Sequence, residues 1–441
     1  MKKVILVSGL MLFSLFFGAG NLIFPPMLGY TAQGNMWVGM TGFAITGILM
    51  PYITVIVIAY YDGGVEFIGN RVHPKFGFIF AVCIYLSIGA LYGIPRAANV
   101  AYEIGAKSIL PFHNTWTLVG FSLVFFIVVG LIALYPNRMV DNLGKVLTPA
   151  LLLVIGALCI AAIIHPEGKV GEPHGKYAEA PLVSGILEGY YTMDLVAALA
   201  FSVVIVQSFK LAGISDSKKI VKNVILAGLI SAVLLTIIYF SLAYLGITTS
   251  KPGFENGASI LTYNSVRLFG AFGNILFGVI VILACLTTCI GLVNASSAFG
   301  MKKFPKISYK TYVLVFSLVG FLISTLGLNM ILQIAVPLLT FIYPISIVLV
   351  LISLVAIVIP THLKIAYILP TISTLIISVL EILNTFKLIK PLNHLYQALP
   401  LSEQGLAWLY PFLVLTIIGI IIDFMRNKNT VRSNQVDEQK A

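Results

Sequence analysis

Phe17-Gly18-Ala19-Gly20-Asn21-Leu22-Ile23-Phe24-Pro25-Pro26 sits in the first apolar stretch of the chain, and it is a poor sequence for an unbroken helix. Two glycines remove side-chain bulk, and the proline pair cannot donate backbone hydrogen bonds. A helix in lipid must satisfy its own backbone groups, so this composition demands a reason. Two readings stand side by side. In one, the segment is unwound, and offers amide N–H groups at a half-helix N-terminus to a carboxylate and carbonyls to a bare cation. In the other, Gly18 and Gly20 let a neighbouring helix approach closely and Pro25 kinks the span. Asn21 tips the balance toward the first, because its amide oxygen is a good Na⁺ ligand and is costly to bury idle.

The rest of the chain supplies the setting. Of 441 residues, 59% are hydrophobic and 10% charged, whereas a water-soluble surface needs about 25% charge. The bilayer is therefore the solvent. Apolar runs recur to the end, each long enough to cross a hydrocarbon core of about 30 Å at 1.5 Å per residue. We read spans at roughly 4-30, 37-60, 76-95, 115-135, 146-164, 189-210, 220-246, 271-299, 309-327, 330-357, 364-384 and 404-425. The fold class is thus an all-α integral membrane protein of about 12 transmembrane helices, one transporter-sized domain over 1-426. A polar tail, 427-441, reads as disordered. Lys2 and Lys3 before an apolar run also suit a signal peptide, but the run continues past Gly20 through Met27, as a first span would.

Lysine and arginine test this segmentation independently of hydropathy. Alternating sides hold 19 and 8 of the 27 basic residues, which places both termini in the cytoplasm and makes the number of spans even. Because the basic residues are scattered among short loops, the net charge of +11 reflects topology and not nucleic-acid binding. The longest connections, 165-188, 247-266 and 385-403, fall on the external side and read as ordinary loops or as lids. Cys83, Cys159, Cys285 and Cys289 all lie in apolar runs as small core residues.

Chemistry-bearing groups inside the spans are few. Span six carries small and polar residues in Ala197-Ala198-Leu199-Ala200-Phe201-Ser202. Ser202 alone reads as a back-bonded serine, but an inverted repeat of five spans would make this stretch the counterpart of the span-one break. In span eight, Ala284-Cys285-Leu286-Thr287-Thr288 places two hydroxyls where an alkali cation could use them, or where both could bond back to their own helix. Asp194, near the external end of span six, is the only carboxylate well within an apolar run, and Arg96 and Glu103 have the spacing of a structural pair near the end of span three. No charged residue adjoins Gly18–Asn21 or Ala200–Ser202 along the chain. Proton-driven carriers need a titratable relay, whereas sodium-driven ones need only neutral oxygens, so the pattern leans toward Na⁺. A membrane enzyme would need a catalytic cluster and a channel a pore-lining ring; the sequence offers neither.

Three stretches carry a resemblance: Phe17 to Pro26, Tyr92-Gly93-Ile94-Pro95-Arg96-Ala97, and Thr192-Met193-Asp194-Leu195-Val196-Ala197-Ala198-Leu199-Ala200-Phe201. Together they resemble the branched-chain amino acid transport system II carrier proteins, and the likeness runs the length of the chain. It implies symport of leucine, isoleucine and valine with a cation, usually Na⁺, across the cell membrane. It also implies a leucine-transporter-type 5+5 inverted repeat (about 4-164 and 189-357) plus two C-terminal helices (about 364-425). On that fold Gly18, Ala19, Gly20 and Asn21 would hold the substrate carboxylate and a sodium ion, while Ala284, Thr287 and Thr288, with carbonyls near Ser14 and Phe17, would form a sodium site. Ala200, Phe201 and Ser202, with Tyr85 and Ile88 of span three, would complete the substrate pocket. The bottom-up reading agrees on substrate size, since a zwitterion with an apolar side chain needs donors, acceptors and an apolar cavity together.

Overall fold

Helices supply all the regular structure among the described residues, 2–110, 112, 114–135, 139–359, 362–386 and 396–438, of the computed structural model. Span one is split into α1 (Lys2–Phe16) and α2 (Ala19–Ala32). Span two is α3 (Met36–Ala44) and α4 (Met50–Tyr61), joined by a wide π-turn. After α5 (Gly64–Asn70), span three runs from α6 (Pro74–Leu86) through a wide turn into α7 (Gly93–Val100) and on to Ser108. Spans four and five are α8 (Thr115–Ala133) and α9 (Met139–Ile164). Past the short α10 (Lys176–Glu179), span six is again split, into α11 (Pro181–Tyr190) and α12 (Asp194–Leu211). Then follow α13 (Ser217–Ile247), α14 (Gly257–Lys303), α15 (Tyr309–Ser324), α16 (Leu328–Val358), α17 (Ile365–Thr385) and α18 (Leu409–Glu438).

Nine helical stretches among the described residues are long and apolar enough to span a bilayer, and Lys3–Phe16, Pro149–Ile164 and Tyr309–Ser324 are shorter apolar helices. Helix is the expected solution, because each segment satisfies its own backbone.

Three boundaries differ from the sequence expectation. Span three continues past 95 to Ser108, so Arg96 lies within it and not near its end. Span six begins at Pro181, because α11 carries Ser184, Gly185 and Glu188 and hydropathy read it as loop; Asp194 thereby moves to the middle. Part of the 247-266 connection is also helix, since Asn256 caps α14 and the chain turns only at Gly270, where φ is 67°. Residues 387–395 of the 385-403 connection lie outside the described residues, and α18 keeps a helical backbone through Glu438 where a disordered tail was expected.

The second half of span one is clamped against α13 by two glycines facing backbone. A Cβ at Gly29 would stand 1.9 Å from the Ala243 carbonyl oxygen, and one at Gly246 would stand 2.0 Å from that of Pro26. Only hydrogen fits at either position. Gly29→Ala is therefore expected to force α2 and α13 apart at a cost of about 1–3 kcal/mol, read as a lowered unfolding temperature of the purified protein in detergent. An unchanged transition would mean that the two helices do not meet this closely.

Candidate functional site: two broken helices

The break in span one is short. Phe17 and Gly18 alone leave the helix, with Gly18 extended at φ −107° and ψ −167°. The Gly18 N–H donates to the Phe16 carbonyl at 2.8 Å and to Asn21 Oδ1 at 3.1 Å. The N-terminus of α2 thus begins at the break, with its amide donors and the positive end of its dipole there. Pro25 and Pro26 lie inside α2, and since proline cannot donate, the carbonyls of Asn21 and Leu22 lack their usual intrahelical partners.

The break in span six recurs five spans later, over Tyr191, Thr192 and Met193. Met193 takes a left-handed conformation, φ 70°, which is uncommon for a residue with a side chain. Thr192 Oγ1 steadies the turn by donating to the Gly189 carbonyl at 2.9 Å and accepting from the Asp194 N–H at 3.3 Å. This is upstream of the stretch singled out in the sequence. Ala200, Phe201 and Ser202 are buried within intact α12, and the Ser202 hydroxyl bonds back to the Ala198 carbonyl. The helix is intact at these small residues, and the chain breaks instead where Thr192 and Asp194 supply substitute hydrogen bonds.

Charged groups of both signs meet between the breaks, although none adjoins Gly18–Asn21 along the chain. Asp194 opens α12 at 2% exposure, and its Oδ2 accepts from Asn21 Nδ2 at 2.7 Å and from the Tyr239 hydroxyl at 3.0 Å. Asn21 Nδ2 also bonds the Tyr239 hydroxyl. Asn21 therefore ties the two broken spans together, with its oxygen turned to Gly18 and its nitrogen to Asp194. Arg96, at 6% exposure, does not pair with Glu103, which takes Lys107 at 2.7 Å instead. Its guanidinium enters the span-six break, where Nη1 donates to the Tyr191 carbonyl at 2.5 Å and to the Tyr92 hydroxyl at 3.0 Å, and Nη2 to the Thr192 carbonyl at 3.0 Å. It also lies against Gly20, where a Cβ would come within 2.5 Å of Nη1 and 2.6 Å of Cζ. Tyr343 closes the cluster by accepting from the Leu195 N–H at 3.2 Å. Sequence reasoning missed Tyr92, Tyr239 and Tyr343 as members of this network, because a tyrosine in an apolar helix carries no pattern that separates networking from packing.

Beside the span-one break lies a cavity of about 20 Å³, room for about one water-sized particle, lined by Phe13, Ser14, Phe17, Leu151, Ala284, Thr287 and Thr288. Five of its lining residues are among the six that the resemblance assigns to a sodium site. Thr287 Oγ1 and Thr288 Oγ1 each donate to the Ala284 carbonyl at 2.9 Å. A hydroxyl that spends its hydrogen on its own helix keeps its lone pairs, so back-bonding and a ligand role are compatible. The Ala284 carbonyl, by contrast, already accepts twice. Gly18 faces this cavity's wall, its would-be Cβ 3.7 Å from Thr288 Cγ2. Asn21 does not line the cavity.

The structure separates Tyr85 from these groups: its ring stacks on Phe299 at 4.1 Å, about 16 Å beyond Thr288 along α14 at 1.5 Å per residue. Ile88 is buried in the wide turn of span three at 1% exposure, ahead of Tyr92.

Comparison with known proteins gives this geometry a family. Residues 1–426 match the profile described as branched-chain amino acid transport protein. The chain is 39% identical to the branched-chain amino acid permease BraB of Bacillus subtilis, with 95% of each chain covered. It is 37% identical to the branched-chain amino acid transport system 2 carrier protein of Pseudomonas aeruginosa, over 96% of this chain and 97% of that one. Among solved structures it resembles Mhp1, a nucleobase-cation-symport-1 family transporter, in a closed conformation with bromovinylhydantoin bound, with a TM-score of 0.62, 13% identity and coverage of 94% and 91%. It also resembles MhsT in complex with L-phenylalanine, with a TM-score of 0.56, 15% identity and coverage of 96% and 98%. At such identities the structural matches establish a shared leucine-transporter-type fold.

Proposed function

The chain belongs to the branched-chain amino acid transport protein family, and from that premise we propose that it is a symporter importing leucine, isoleucine and valine with Na⁺ by alternating access. What supports the reading most is the meeting of two broken helices at one charged cluster, beside a cavity walled by Ser14, Ala284, Thr287 and Thr288. Broken half-helices offer donors to a carboxylate and carbonyls to cations, and neutral oxygens suit an alkali ion. The ligands would be the hydroxyl oxygens of Thr287 and Thr288 with oxygens of Ser14 and Phe17. The distribution of basic residues supports a plasma-membrane carrier with both termini in the cytoplasm; moving Arg96 from a loop to the membrane interior sharpens that asymmetry.

Labelled leucine uptake into proteoliposomes, with Na⁺, Li⁺ and pH gradients imposed separately, tests the coupling. Uptake driven by the Na⁺ gradient alone is the expected result. One observation favours a second reading, proton-coupled symport of neutral amino acids. Asp194 is a buried carboxylate inside the cluster, the position a proton carrier would use.

Substrate range follows from charge. The cluster already holds one fixed charge of each sign, so a third brought by a side chain would be buried unpaired at a cost of several kcal/mol. Isoleucine and valine are expected to compete with labelled leucine, and lysine and glutamate to compete poorly. Equal competition by lysine would refute an apolar side-chain pocket.

A further inference from the structure

The freed Tyr191 and Thr192 carbonyls that Arg96 satisfies need hydrogen-bond donors, but not a full positive charge. A neutral side chain could pack beside Tyr92, yet the chain buries a guanidinium between the two breaks at 6% exposure, and among the described residues no carboxylate forms an ion pair with it. Such a charge is expensive unless an anion reaches it at some stage of the cycle.

Its hydrogen-bond inventory says which edge is free. A guanidinium has five N–H donors in a fixed planar fork. Nη1 spends both of its hydrogens, on the Tyr191 carbonyl and the Tyr92 hydroxyl, and Nη2 spends one on the Thr192 carbonyl. Nε is buried with no partner. Left unspent are Nε–H and one N–H of Nη2, a pair of donors on the two nitrogens that bound one edge of the fork. That edge is one on which arginine takes a carboxylate through two hydrogen bonds. The same guanidinium rests on Gly20, in the first turn of α2, so the helix N-terminus and the arginine present positive potential to one region.

We propose that Arg96 is a carboxylate-binding, specificity-determining residue, which takes the α-carboxylate of the transported amino acid on its Nε and Nη2 edge while Nη1 and Nη2 hold it to the span-six break. The proposal rests on the reading that the amino acid binds between the two breaks. The arginine then links substrate directly to the Tyr191 and Thr192 carbonyls, so that occupancy and the geometry of span six change together.

The test compares leucine with leucinol, which keeps the side chain and ammonium but lacks the carboxylate. Binding to the purified full-length protein is measured by displacement of labelled leucine and by calorimetry for leucinol. The wild type should prefer leucine strongly. In Arg96→Gln the leucine affinity should fall on the order of 100-fold, leucinol affinity should barely move, and the preference should collapse. A merely structural arginine would weaken both ligands together and keep their ratio, which would overturn the proposal. If Arg96→Gln does not fold, Arg96→Lys decides, because an ammonium can still meet the Tyr191 and Thr192 carbonyls but has no planar fork. The leucine preference should then drop roughly 10-fold, and a wild-type ratio in the lysine variant would overturn the proposal. A wild type that binds no leucine would remove the substrate reading itself, an outcome distinct from an intact ratio in the variants.

Discussion

Leucine uptake is expected to fall to background when Gly20 is replaced by leucine, while the variant still inserts and purifies as a folded protein. The first carbon of any side chain at this position would lie 2.5 Å from Arg96 Nη1 and 2.8 Å from Nη2. The guanidinium cannot simply step aside, because the Tyr191 carbonyl, the Thr192 carbonyl and the Tyr92 hydroxyl hold it. Either Arg96 leaves the span-six break or α2 tilts away from it, and each separates the two breaks that form the site. Overpacking of this kind costs about 1–3 kcal/mol, which a large membrane protein can survive while losing a geometry that must be held to a fraction of an ångström. Gly18 provides the contrast. Its would-be Cβ meets nothing nearer than 3.7 Å, and its backbone is extended, so Gly18→Ala should cost far less uptake than Gly20→Leu. Radiolabelled uptake, with gel filtration and membrane fractionation of the same variants, checks both. Normal transport by Gly20→Leu would reduce the glycines to packing residues.

The two breaks were not equally legible, and the reason is local chemistry. Span one announces itself because Gly18, Gly20, Pro25 and Pro26 fall within nine residues, and neither residue type suits a helix interior. Span six breaks at Tyr191, Thr192 and Met193, which carry no such signal. What opens the helix there is tertiary: Arg96 takes two of the freed carbonyls, and Asn21 and Tyr239 anchor the Asp194 carboxylate. The same physics misled the reading of Arg96. A spacing of seven along a helix suggested Glu103, but Lys107 one turn on claims that carboxylate, and the arginine turns to a break that sequence patterns could not locate. The Thr287 and Thr288 hydroxyls were legible as a pair because their place on one helix sets their geometry, whereas the resemblance added Ala284 to them. That Ser14 and Phe17 should face them was supplied by resemblance, and the cavity they share depends on how α1 and α14 pack.

Cation coupling separates from substrate recognition in a pair of variants. Thr288→Val keeps the shape of the side chain and deletes Oγ1, an oxygen on the wall of the cavity beside Gly18. The apparent affinity for Na⁺ should fall on the order of 10-fold if one ligand contributes about 1.4 kcal/mol. Leucine affinity at saturating Na⁺ should change less. At low Na⁺ it should weaken, because coupling between two sites is reciprocal and less of the sodium-loaded carrier is present. Asp194→Asn asks the complementary question. Oδ2 of Asp194 accepts from Asn21 and from Tyr239, and an amide oxygen in its place can accept both bonds, so the geometry survives while the charge and the titration are lost. A carrier driven by Na⁺ should tolerate that change with a modest loss of uptake, whereas a carrier driven by protons should lose gradient-driven uptake altogether. Flux measured in proteoliposomes across a series of Na⁺ concentrations and at two values of pH distinguishes these outcomes. Should Thr288→Val leave the Na⁺ dependence untouched while Asp194→Asn eliminates uptake, the sodium reading falls, and the proton is the coupling ion carried through Asp194.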